Sequence, residues 1–322
     1  MTTITGHKRL RKQFQESFTV SRFVELMTAA TKAHEEAKIK DAITAKNYTV
    51  VEKEVYDITD TQQWLEWRRT KIMPSASMIA SLYGIGYRSF NTEFKELVGI
   101  TERGEHSGIS KKMVDHGKDN EARAREVYLE HFKDERTCIS DVGTRSRIMN
   151  ISDGQASYDC LVTPDLRTTT KSPPHCKVVE IKCPAYGIIT HKKPLCEILD
   201  DLTTRFPMGR ENHFLQVLMY ATLFKTYRFD LFYFITDGIS ECDYRVEFQL
   251  TDKAQQFIFE SISLCYTYIN KYLEERVHDY PIVRRKANHL QRINAMMAEC
   301  FIGSIRHDPK ELQEQSSDEG EQ

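Results

Sequence analysis

The sequence predicts an α/β protein, and three observations carry that reading. A long helical pattern over residues 110–132 is followed by two short runs suited to strands, around 156–163 and 177–182. Residues 211–227 are apolar almost all round, which reads as a buried helix. Further on, the runs 229–236 and 244–250 flank Asp237-Gly238, and Asp-Gly between apolar runs is a strong hairpin signal.

The elements follow in order. Residues 1–60 read as a helix-rich extension, because Phe14, Phe18, Phe23, Leu26 and Met27 recur at near-helical spacing and an Ala/Lys/Glu-rich stretch follows. Thr59, Asp60 and Thr61 are good N-cap residues, and they open a helix through Trp64, Trp67 and Arg68. Pro74-Ser75-Ala76-Ser77 interrupts it, and helix restarts at 78–82. In the pattern 110–132, Gly117, Glu121, Ala124, Tyr128 and Phe132 share one face, so one acid lies on the inward stripe. The runs 156–163 and 177–182 are separated by Pro164-Asp165 and the Thr/Ser/Pro-rich 168–174, which reads as a hairpin with a long loop. Gln216 is the polar exception in the buried helix. A final helix, from Lys253 to about Arg276, closes the core, and after Pro281 the pattern weakens into an acidic Gln/Ser/Glu tail. The expected organisation is an extension over 1–60, a core over 61–280 and a weakly structured tail over 281–322.

Composition excludes several classes. With 322 residues, 40% apolar and 29% charged, the chain is neither collagenous nor wholly disordered. Its longest strongly apolar stretch, 214–224, is far short of the roughly 20 residues a bilayer crossing needs. Residues 1–20 hold Lys8, Arg9, Arg11 and Lys12 with no apolar block behind them, so an intracellular protein, nuclear or cytoplasmic and not secreted, is expected. Eight cysteines show no C-x-x-C pair, no zinc-finger spacing and no iron–sulfur spacing, so reduced thiols are expected. Lys and Arg total 45 against 47 Asp and Glu, a net charge of −2, so a nucleic-acid binder would need its positive charge gathered locally. Local gatherings occur at 7–12, 67–71, 111–112, 191–193 and 284–286.

One constellation carries chemistry. In the strand 178–182 Glu180 and Lys182 project together while Val179 and Ile181 go the other way. An antiparallel return would bring Asp159, at the start of the preceding strand, near them. Two carboxylates and a lysine suit a Mg²⁺ ion that stabilises charge on a scissile phosphate while the lysine orients the attacking water, a recipe for phosphodiester hydrolysis. An isolated Glu-x-Lys is commonly a surface pair, so the triad alone is a weak signal.

It gains weight from the order of the remaining blocks. Gly117-x-x-x-Glu121-x-x-Ala124-x-x-x-Tyr128, then Ser157-Tyr158-Asp159-Cys160-Leu161-Val162, then Glu180-Ile181-Lys182-Cys183-Pro184, then the helix with Gln216, resembles the YqaJ-type viral recombinase family. These are the λ-exonuclease-like and viral alkaline-nuclease-like members of the PD-(D/E)XK nuclease superfamily. The resemblance covers roughly residues 64–236. It implies a PD-(D/E)XK, restriction-endonuclease-like core with a central mixed β-sheet flanked by helices.

Residue by residue, the resemblance implies that Asp159 and Glu180 are metal-binding acids, with the Ile181 carbonyl as a further ligand, and that Lys182 is the catalytic lysine. Glu121 matches the helix acid that helps hold the metal, and Gln216 matches a glutamine that supports the site or contacts DNA. Asp165, in Thr163-Pro164-Asp165, is a rival first acid because it literally reads Pro-Asp; Asp159 is preferred for its place at the start of the strand. Trp64-x-x-x-Arg68 followed by Pro74-Ser75-Ala76-Ser77 is similar to the family's 5′-phosphate-binding block, with Arg69 as an alternative arginine. The implied function is a Mg²⁺-dependent deoxyribonuclease, with Mn²⁺ as a substitute ion. Its expected activity is 5′→3′ exonuclease digestion of double-stranded DNA ends to single strands for recombination or repair. The implied partners are DNA ends, copies of itself in a ring trimer, and a single-strand annealing protein. The alternatives are an endonuclease, a single-strand or RNA nuclease, or an inactive DNA-end-binding protein.

Overall fold

A computed structural model describes residues 49–57, 61–101, 107–132, 137–141, 145–152, 154–170, 176–206, 209–275 and 287–311. Its strands are β1 (Thr49–Asp57), β2 (Thr137–Asp141), β3 (Arg145–Ser152), β4 (Ser157–Val162), β5 (Leu166–Thr170), β6 (Cys176–Lys182), β7 (Arg228–Thr236), β8 (Ser240–Gln249) and β9 (Phe301–Glu311). Its helices are α1 (Thr61–Arg69), α2 (Ala76–Leu82), α3 (Phe90–Leu97), α4 (Gly108–Phe132), α5 (Tyr186–His191), α6 (Leu195–Arg205), α7 (Glu211–Leu223), α8 (Asp252–Glu275) and α9 (Ala287–Cys300). The expected α/β architecture, a mixed sheet flanked by helices, is observed.

The strands form two sheets. Three of them pair in the order β1-β3-β4, all antiparallel. The other six run β2-β5-β6-β7-β8-β9, with β6 and β7 parallel and every other pair antiparallel. A parallel neighbour requires a long crossover, and here α5, α6 and α7 supply it. The Asp237-Gly238 turn joins β7 to β8 as expected. Gly238 sits at φ +90°, open to glycine without strain, and the Asp237 carboxylate accepts the backbone N–H groups of Ile239 (2.9 Å) and Ser240 (2.8 Å).

Alternation divides the large sheet into two buried faces. Val179, Ile181, Phe232 and Phe234 meet Ala124, Val127 and Tyr128 of α4. Val178, Phe229, Leu231, Tyr233 and Val246 meet α7 in a larger core that α2, α8 and α9 extend. The apolar reading of α7 holds, since 11 of its 13 residues are buried. On β8, Cys242, Tyr244, Val246 and Phe248 lie in this larger core, while Glu241, Asp243, Arg245 and Glu247 pair with groups on the α4 side.

Several expectations need correction. The part of the N-terminal extension that is described, Thr49–Asp57, is a strand, consistent with Val50, Val51, Val55 and Tyr56. The Phe14 to Met27 pattern lies outside the described residues. The loop expected after Asp165 contains β5, so the hairpin is β5–β6 rather than β4–β6. Residues beyond 281 are not uniformly weak. Leu290, Ile293, Met296 and Met297 bury one face of α9, and β9 pairs along β8. The outer strand β9 holds Gly303, Pro309 and four charged residues, as edge strands often do. The acidic residues 312–322 lie outside the described residues.

Candidate active site

The path of the chain from β4 to β6 builds the site. At the end of β4 the chain leaves the small sheet through Thr163-Pro164-Asp165 and enters the large one as β5. Leu166 pairs with Val179, so the antiparallel register carries Asp165 opposite Glu180. The Ile181 N–H donates to Asp165 Oδ2 at 2.8 Å, which fixes the carboxylate at the C-terminal end of β6.

Glu180 is only 1% exposed, and its Oε1 accepts from Lys182 Nζ. Its Oε2 is buried with no hydrogen-bond partner among the described residues, an unusual state for a carboxylate oxygen. Burial, with Asp165 and then Glu121 adding repulsion, pushes the Glu180 carboxyl up to about 8 against the pull of Lys182. Asp165 is likewise raised by burial and by Glu121, opposed by Lys182, the Ile181 N–H and Arg125. Lys182 is raised as well, which keeps it charged: burial disfavours its charge, but Glu180 and Asp165 outweigh burial. The pair thus holds an ammonium beside a carboxyl that is half-protonated near pH 8.

Glu121 reaches the cluster from α4, where Arg125 Nη2 holds its Oε1 at 2.9 Å one turn on. The helix is pinned to the sheet by Tyr128, whose hydroxyl donates to the buried Asp230 at 2.6 Å. Four of the sequence-derived groups, Glu121, Asp165, Glu180 and Lys182, therefore converge, with the Ile181 carbonyl on the backbone between the last two. The thiol of Cys183 sits next to them, but burial, Glu121 and Asp165 push it up to about 12, so it is no nucleophile at neutral pH.

Asp159 is not brought to this cluster. It lies on β4 in the other sheet, its carboxylate held by Lys53 at 2.7 Å and by the Asn150 amide at 2.7 Å. The preference for Asp159 over Asp165 is corrected here, because β4 pairs with β3 while β5 is the strand beside β6.

The remaining sequence-derived residues connect to β4 and the turn that follows it. Gln216 Nε2 donates to the Tyr220 hydroxyl at 3.2 Å, and that hydroxyl donates to the Thr163 carbonyl at 2.9 Å, two residues before Asp165. Arg68 lies over the Trp64 ring at 5.3 Å, close enough for its charge to act on Tyr220. Trp64 is anchored in turn by its indole N–H on Ser146 Oγ, which contacts Thr163 Oγ1 at 2.7 Å. Ser75 caps α2 and contacts Ser77 through their hydroxyls at 3.2 Å. The backbone there is tied to β4 by the Leu161 N–H on the Pro74 carbonyl at 3.0 Å. The side chain of Arg69 lies outside the described residues.

Sequence reasoning missed three neighbours of Lys182. His213 bridges Tyr87 (2.8 Å) and Tyr233 (3.1 Å) through its two ring nitrogens, and burial, with Lys182 and Arg210 adding, holds it well below the usual imidazole range. A readable signal was present: His213, Gln216 and Tyr220 follow helical spacing on the face of α7 toward the site.

The donor set fits a divalent cation. A buried carboxylate oxygen without a hydrogen-bond partner among the described residues, two further carboxylates and the Ile181 backbone carbonyl are hard oxygen ligands, and the mutual repulsion of the carboxylates is what a cation would relieve.

Residues 63–222 match the YqaJ-like viral recombinase domain. This segment contains every group of the cluster. Among solved structures the chain is similar to an alkaline exonuclease, LHK-Exo, from Laribacter hongkongensis, at 16% identity and a TM-score of 0.42, covering 73% of this chain and 99% of that one. It is also similar to a protein described as SSO0001, at 14% identity and a TM-score of 0.33, covering 63% of this chain and 85% of the other. No curated protein matches the chain. No described helix is long and apolar enough to cross a membrane.

Proposed function

We propose that the protein is a metal-dependent deoxyribonuclease, a 5′→3′ exonuclease that digests double-stranded DNA from its ends. The observation that carries this reading is the convergence of Asp165, Glu180, Lys182 and Glu121 around a buried carboxylate oxygen that has no partner among the described residues, within a YqaJ-like viral recombinase domain. Asp165, Glu180, Glu121 and the Ile181 carbonyl would hold the cation, Mg²⁺ by the hardness of the set and Mn²⁺ as a substitute. What the ion supplies is positive charge at the scissile phosphate and a more acidic water.

The protein's own groups do the rest. Lys182 keeps its proton, so Nζ acts as a donor and a positive charge that orients the attacking water and offsets charge on the phosphate. Asp165 cannot swing away, because the Ile181 N–H holds it. Tyr220 and Gln216 brace the Thr163 carbonyl and so the turn that presents Asp165. Arg68, with the Ser75 and Ser77 hydroxyls, offers a guanidinium fork and donors suited to a terminal 5′-phosphate, the feature that favours an end-directed enzyme. A ring of three copies and a single-strand annealing protein are the partners that suit such an activity.

Digestion of linear duplex labelled separately at the 5′ and 3′ ends, beside a closed circle, tests the reading. With Mg²⁺, early release of 5′ label, a spared circle and a silent Lys182→Ala variant are expected. Binding to ends without cleavage of any DNA would refute it in favour of an inactive end-binder.

A further inference from the structure

A second group of ligating side chains lies away from the proposed nuclease site. His131 is in the last turn of α4, Asp243 is on β8, and His307 faces Asp243 across the β8–β9 pairing. His307 Nδ1 is 2.8 Å from Asp243 Oδ1, and His131 Nδ1 is 3.4 Å from Asp243 Oδ2. One ligand atom from each residue can be chosen so that all lie within 4.8 Å of one another. Ligands about 2.0–2.1 Å from a tetrahedral ion stand roughly 3.3 Å apart, so the three groups need only small adjustments to share one.

The surroundings point the same way. Asp243 is 2% exposed, and the side chains that meet its carboxylate are the two imidazoles. The other groups nearby are Glu130, Glu241, Arg123 and Lys310, and Glu241 already holds both of these cations.

We propose that His131, Asp243 and His307 bind a zinc ion that fastens the edge strand β9 to the end of α4. Two imidazoles and one carboxylate form a borderline set that suits Zn²⁺ and is a poor host for Mg²⁺, and the fourth position is left to water. The site is distinct from the nuclease cluster: Glu121 and His131 are ten residues apart on one helix, about 15 Å along its axis. The ion would hold in place the helix that carries Glu121.

Zn²⁺ alone, titrated into chelator-stripped full-length protein, tests this. A Glu180→Ala background takes the central carboxylate out of the nuclease set, and in it one equivalent of Zn²⁺ is expected to bind. His131→Gln and His307→Gln, at partly exposed positions, are each expected to weaken binding at least about tenfold. They should also lose the visible absorption of tetrahedral Co²⁺ and the rise in melting temperature on adding Zn²⁺. The proposal is overturned if the Glu180→Ala protein binds no Zn²⁺, or if both glutamine variants bind it as tightly as their parent.

Discussion

Mg²⁺ binding at the nuclease site is expected to expel a proton, and the amount can be worked from the site. The ion needs Glu180 ionised, yet the ion-free fold holds that carboxyl up to about 8, chiefly by burial and by Asp165. Below that pH each unit costs about tenfold in apparent affinity, or about 1.36 kcal/mol, so binding at about pH 6 should be roughly 100-fold weaker than on the plateau above 8. The stability of the ion-free protein follows the same linkage. Because the folded pKa lies above the unfolded one, the contribution of Glu180 is present below about pH 4.5 and is lost as pH rises through 8; Asp165 shifts in the same direction. Adding Mg²⁺ should therefore raise the melting temperature more at about pH 8.5 than at about pH 6. Calorimetry in two buffers of different ionisation heat counts the protons: close to one per ion near pH 7, few above 8.5, and few at either pH in Glu180→Gln. The nitrogen-rich cluster at His131 does not interfere, being a poor host for Mg²⁺. An affinity that is flat between about pH 6 and 8, with no buffer dependence, would refute the reasoning.

Further outcomes follow from the geometry. Asp165→Asn should abolish cleavage with the fold intact by circular dichroism, whereas Asp159→Asn should keep it. Asp159 is partly exposed and its tie to Lys53 is worth at most about 1 kcal/mol; equal losses in the two variants would return Asp159 to the site. Arg68→Ala should slow digestion of 5′-phosphorylated ends more than of 5′-hydroxyl ends, and equal slowing would reject the phosphate pocket. Gly238→Ala places a side chain at φ +90° and should destabilise the fold by about 1 kcal/mol or more in urea unfolding, with the rate of cleavage per folded molecule unchanged.

The site was legible in the sequence wherever local pattern decides position. Glu180 and Lys182 share a face by alternation, Glu121 shares the α4 stripe with Ala124 and Tyr128, and Gln216 stands out on an apolar helix. What local pattern cannot decide is which strands become neighbours. Asp159 begins a good strand, but that strand belongs to the small sheet, and Pro164, which lacks a ladder donor, marks the point where the chain changes sheets. The literal Pro-Asp reading carried this information, and the preference for a residue inside a strand overrode it. Helix α9 was hidden by its flanks, basic at 284–286 and acidic beyond 311, although Leu290, Ile293, Met296 and Met297 keep helical spacing.

Strand β8 shows why burial on both faces defeats pattern reading. Its alternation of Glu241, Asp243, Arg245 and Glu247 with Cys242, Tyr244, Val246 and Phe248 has the form of a strand with one face in solvent. The charged face instead lies under α4. There Arg123 meets Glu241 at 2.9 Å, Lys177 reaches both Asp230 and Glu247, and Arg245 covers the Phe132 ring. Glu241, Arg245 and Glu247 each have an opposite charge beside them, which is the condition for keeping ionised groups out of water, while Asp243 is met by the imidazoles of His131 and His307. This network also orients α4 against the sheet by polar contacts with fixed partners, so the helix cannot rotate or slide without stranding a buried charge. That rigidity matters for the nuclease site, because Glu121 rides on the same helix and must meet Asp165 and Glu180 from the far side of β6. Exchanging the charged face for apolar residues could preserve the packing of α4, but it would remove the contacts that set the helix's rotation and register, and with them the placement of Glu121.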